Sequence, residues 1–100
     1  MEVSVTVFWQ PTLDAADQEI RFAREMTPSY DIPVVGEHFA LDEDRTLAFP
    51  AKAVEWDKGG RATVELILTE QDITIDELER VGCRVVGRGA PDTIPRDRSR

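Results

Sequence analysis

The sequence predicts a mostly β domain: a small antiparallel barrel or strongly curved sheet with one short helix. Three observations carry this. Residues 51–69 read as a strand, a tight turn and a second strand. Residues 3–9 alternate apolar and polar side chains. One segment alone, residues 75–81, carries helix signals at both ends.

The hairpin is the most legible stretch. Runs rich in β-branched and aromatic residues flank Lys58, Gly59 and Gly60. A three-residue loop places Trp56 opposite Ala62 and Val54 opposite Val64, and Gly60 suits the left-handed position near the end of such a loop. A four-residue loop would oppose Val54 and Thr63, apolar to polar. The first register puts Val54, Trp56, Val64, Leu66 and Leu68 on one face, with Trp56 expected to be buried against Val64 and Leu66. Ala53, Glu55, Thr63, Glu65 and Thr69 take the other face, where Ile67 is the misfit. The hairpin is expected at the centre of the sheet.

In the amino-terminal run, Val3, Val5, Val7 and Trp9 share one face and Phe8 is the misfit on the other. Residues 12–26 could form a helix capped by Thr12, but a strand over residues 19–26 is the better reading, because it puts Phe22 with Ile20 and Met26; Arg24 interrupts that face. Residues 13–18 are then a loop with a helical turn. The prolines at 28 and 33 make residues 27–33 an extended crossing. Residues 38–41 form a short strand entered through Gly36, a bulge or corner, and residues 42–45 form a turn. Residues 46–49 begin another run that Pro50 breaks or bulges. Thr74 and Glu77 have capping-box spacing, and Gly82 stands where a helix stops. Ile75, Leu78 and Val81 share its apolar stripe. Residues 83–86 are a closing strand. The domain is thus residues 1–88, and residues 89–100 read as a mobile tail.

Short antiparallel strands with a single helix fit the SH3-like or OB-like kind of small barrel. The run Pro33-Val34-Val35-Gly36-Glu37, followed by Val54-Glu55-Trp56, resembles short bacterial and phage-encoded β proteins of no assigned function. The similarity spans residues 32–68. It implies the fold and assigns no catalytic residue.

Length and charge bound the function. The 100 residues suffice for one core. Net charge is −8, unevenly placed: residues 88–100 carry four arginines against two aspartates, leaving residues 1–87 with 8 basic and 18 acidic groups. An acidic body repels nucleic acid and anionic membranes. Cys83 is the single cysteine, which excludes an internal disulfide and points to a cytoplasmic protein. No signal-peptide pattern or membrane-spanning run is present in the sequence.

No catalytic constellation emerges. His38 is the single histidine, and Glu37 beside it points to the opposite face of a strand. Asp42 and Asp44 match the first calcium-loop positions, but Leu47 stands where glycine is needed, so a solvated turn is the better reading. No phosphate-loop or dinucleotide motif is present, and no cofactor is expected. The expected function is therefore a non-enzymatic protein-interaction module, with Phe8, Tyr30 and Trp56 as candidate contacts. A homodimer through an exposed edge at residues 3–9, strengthened by salt, is the expected self-association. The alternative is a nucleic-acid-linked protein, either a barrel using Arg96, Arg98 and Arg100 or an acidic decoy.

Overall fold

The computed structural model describes residues 2–27 and 32–88. Tyr30 and residues 89–100, with their arginines, lie outside the described residues.

The chain runs β1 (Val3–Gln10), a 3₁₀ turn (Ala16–Gln18), β2 (Ile20–Met26), β3 (His38–Ala40), β4 (Ala48–Pro50), β5 (Ala53–Trp56), β6 (Ala62–Thr69), α1 (Ile75–Arg80) and β7 (Arg84–Arg88). The strands form a five-stranded sheet of order β5-β6-β1-β2-β7 and a separate β3-β4 pair. The main sheet is mixed, because β1 pairs antiparallel with β2 but parallel with β6. Among the described residues it ends at β5 and β7 and does not close on itself.

The central strand is β1, not the hairpin. Val3, Val5, Val7 and Trp9 meet Ala62, Val64, Leu66 and Leu68 on one side, and Phe22 and Ile20 lie opposite Val7 and Trp9 on the other. All of these are buried. A strand with such a complete apolar face gains most between two neighbours, where flanking side chains cover it from both sides. Both edges of β1 are therefore hydrogen-bonded within the chain. The free edge expected at residues 3–9, through which a homodimer was to form, is therefore a misreading: both sides of that strand are paired within the chain.

The hairpin register is as expected, with Val54 opposite Val64 and Trp56 opposite Ala62. The Asp57 amide donates to the Arg61 carbonyl at 2.9 Å, closing a three-residue loop. Gly60 has φ +84°, a region costly for other residues. The Asp57 carboxylate accepts the Gly59 and Arg61 amides at 2.8 and 2.9 Å, which holds the turn.

β2 follows the period-two reading: Ile20, Phe22 and Met26 are buried, and Arg24 lies among them. Arg24 is accommodated because its guanidinium donates to the Leu41 carbonyl, tying β2 to the end of the β3-β4 layer. Gly36 is a corner in a turn at φ +94°, and Pro50 is the last residue of β4, paired with His38.

The helix has its capping box. The Glu77 amide donates to the Thr74 hydroxyl at 3.2 Å and the Glu77 carboxylate accepts the Thr74 amide at 3.0 Å. Gly82, at φ +102°, follows the last turn. Leu78 is fully buried with Ile75 and Val81 packed beside it, and with Phe39 and Leu41 of the β3-β4 layer they cover one face of the sheet. Cys83 is buried too. Burial pushes its thiol pKa up, against the pull of the Arg24 charge.

Trp56 corrects a further expectation. It lies on the core side of the sheet, yet it is 53% exposed. Parity sets the side correctly, but β5 is an edge strand and Trp56 is its last residue, outside the packed core.

Candidate functional site

One face of the sheet is covered and the other is open. On the open side, strand alternation places Ser4, Thr6, Phe8 and Gln10 of β1 beside Thr63, Glu65, Ile67 and Thr69 of β6. The two apolar misfits of the sequence, Phe8 and Ile67, are register partners. Neither is isolated; each is the other's neighbour across the parallel pair. Ile67 is 46% exposed and Phe8 is half-buried.

Arg21 of β2 lies opposite Phe8 on the other side. Its guanidinium reaches over β7, where a Cβ on Gly87 would come within 2.5 Å of it. Glycine at 87 leaves room for that arginine.

The two ends of the open face differ. At the start of β1, the Glu25 carboxylate accepts the Ser4 hydroxyl at 2.9 Å and pairs with Arg61, which also approaches Glu2 at 3.8 Å. There one guanidinium is shared between two carboxylates of the chain. At the finish of β1 and β6, the surface is indented and mixes apolar with polar side chains. A groove of about 380 Å³ is lined by Pro11, Thr12, Leu13, Ile67, Thr69, Gln71 and Asp72. Leu13 is 79% exposed. The Asp72 carboxylate accepts the Thr69 amide at 2.9 Å, which sets the turn that forms one wall.

Trp9 stands behind this groove on the covered side. It is 4% exposed, and its indole N–H donates to the Ile73 carbonyl at 2.9 Å. It contributes to two further indentations, one of about 420 Å³ with Glu19, Ile20 and Arg88, the other of about 270 Å³ with Glu70, Ile75 and Asp76.

The sequence-predicted contacts do not converge. Phe8 is on the open face, Trp56 is at the β5 margin on the opposite side, and Tyr30 lies outside the described residues. Leu13 and Pro11 were not marked by the sequence. No local signal singles them out, because an exposed leucine in a loop gains meaning only from the groove it lines.

Asp42 has a structural role. Burial alone would raise its pKa. The Thr46 hydroxyl and the Leu47 and Thr46 amides outweigh this by donating to the carboxylate, which holds it below its ordinary range. Among the described residues, no group of three or more histidine, cysteine or acidic side chains could hold a metal ion. No helix of the described residues is long and apolar enough to cross a membrane.

Comparison with protein-family models finds none that matches the chain, and comparisons with curated proteins and with solved structures find no match either.

Proposed function

We propose that the chain is a non-enzymatic protein-interaction module that binds through the open face of its sheet. The observation that carries this reading is the Phe8–Ile67 pair, running into the Pro11–Leu13 wall of the adjoining groove. Apolar side chains grouped on one solvent-facing surface gain free energy when a partner covers them, by about 25 cal/mol for each Å² removed from water. The resemblance to small bacterial and phage β proteins, and the SH3-like or OB-like barrel it implies, belong to the same proposal.

The test is capture of partners from the source cell with wild type and with Phe8→Glu, each with and without nuclease. The reading expects a protein partner that is insensitive to nuclease and lost with Phe8→Glu. Capture that nuclease abolishes would sink it in favour of a nucleic-acid link. Sedimentation equilibrium at low and high ionic strength shows whether a second copy is itself such a partner, with salt strengthening the dimer if acidic bodies repel.

A further inference from the structure

The end of the sheet where β1 and β6 finish offers three grooves that adjoin one another. The first shares Pro11 with the second, and the second shares Trp9 with the third. Their apolar parts come from Pro11, Leu13, Ile67, Ile20 and Ile75, with the edge of Trp9 between. Their charged parts are one-sided. Asp17, Glu19, Glu70, Asp72 and Asp76 line them, against Arg88 as the one cation among the described lining residues.

We propose that these grooves bind a basic peptide segment, one in which arginine or lysine side chains alternate with aliphatic ones. The proposal rests on the interaction-module reading and names the chemistry of its partner. Aliphatic side chains would fill the apolar floor beside Leu13 and Ile67. Cationic heads would reach the exposed carboxylates of Asp17, Glu70, Asp72 and Asp76, through the charge-assisted hydrogen bonds that guanidinium and ammonium groups make. The rest of the chain favours the same occupant. Residues 1–87 carry 18 acidic and 8 basic groups, a field that draws a cationic segment in and speeds its encounter.

The same field disfavours the other occupants. Nucleic acid and acidic peptides are repelled. A second copy brings its own net charge of −8 against the same sign. The edges of the sheet are poorer docking sites. At β7 the register slips between Arg21 and Phe22 of its partner strand, leaving Val86 as an extra residue in a bulge, and arginines stand at both ends. Bulges and charges are how sheet edges avoid new strands.

Direct binding to the full-length chain tests this. Two dye-labelled peptides of equal length are titrated by fluorescence anisotropy, one alternating arginine with leucine and one alternating glutamate with leucine. The Trp56→Phe variant leaves Trp9 as the one tryptophan, so its emission reports occupancy at the grooves. The arginine peptide is expected to bind saturably and shift Trp9 emission, and to weaken roughly tenfold as salt is raised. Asp17→Asn combined with Asp76→Asn is expected to weaken it about fivefold. Glu43→Gln combined with Asp44→Asn removes as much charge from a turn that lines none of these grooves, and is expected to change binding by less than about twofold.

Equal weakening by both pairs would mean diffuse attraction to an acidic body, and the site would fall. So would equal binding of the glutamate peptide, or binding of neither. If neither peptide binds but Phe8→Glu still abolishes capture of a protein partner, the interaction reading stands and the basic-segment inference alone is overturned.

Discussion

Trp9 and Trp56 project from the same side of one sheet and have opposite environments. Trp9 is 4% exposed and its indole N–H reaches the Ile73 carbonyl, whereas Trp56 is 53% exposed. Both close an alternating run at the end of their strands, and both obey the same parity. What separates them is strand position. β1 has a neighbour on each side, and the turn carrying Ile73 comes back to meet Trp9; among the described residues β5 is paired with β6 alone. A side chain's face is a local property of its strand. Its cover is supplied by neighbours, and an edge strand has half of them.

Three perturbations break or sharpen this contrast. The largest effect is expected at the tryptophans. Trp9→Ala should cost about 3–5 kcal/mol, from the cavity and the Ile73 carbonyl left without its donor, while Trp56→Ala should cost less than about 1 kcal/mol. Urea unfolding of the two variants measures both. Equal losses would mean that the β5 margin is covered as well as the centre.

The second effect is at Arg24, the charged member of an interior strand. Its hydrogen bond to the Leu41 carbonyl joins the sheet to the β3-β4 layer. Arg24→Leu keeps the apolar stem but leaves that carbonyl without its donor, for an expected loss of about 1.5–3 kcal/mol. Thermal unfolding is the measurement. An unchanged midpoint would place Arg24 with Trp56, on the side of position without dependence.

The smallest effect concerns pH, at the turn of the covering layer. The Asp42 carboxyl is held below its ordinary pKa by donors from Thr46 and Leu47. A folded-state pKa that is depressed stabilises the fold above the unfolded value, and that stability is lost as pH falls through the folded value. The contribution is thus present at neutral pH and disappears on the acid side. Asp42→Asn should leave a shallower acid limb in stability against pH than wild type. Superimposable limbs below the ordinary carboxylate range would show that Asp42 adds nothing to this layer.

Much of the architecture was legible along the chain. The hairpin register, the β2 strand with Arg24 as its interruption, the helical turn before it and the Thr74–Glu77 box all follow from rules with a reach of a few residues: side-chain alternation, loop geometry and capping. They are determined where the residues concerned are close in sequence, so composition and spacing suffice. Phe8 and Ile67 were also legible as misfits, each on a polar face.

What only the tertiary structure decided was adjacency. Alternation says which side chains share a face of one strand and is silent on which strands lie side by side. Hence β1 could be read as an exposed edge when it is the centre, a parallel partner 59 residues away in Val3↔Ala62 could not be foreseen, and Trp56 could be assigned a cover that its edge position lacks. The same holds for the candidate site. Phe8 and Ile67 become a surface only because the β1-β6 pairing sets them together, and Leu13 becomes a groove wall only because the loops after β1 and β6 finish at one end. Pairing over such separations is settled by the summed burial of the whole core, in which no single short segment holds the deciding share.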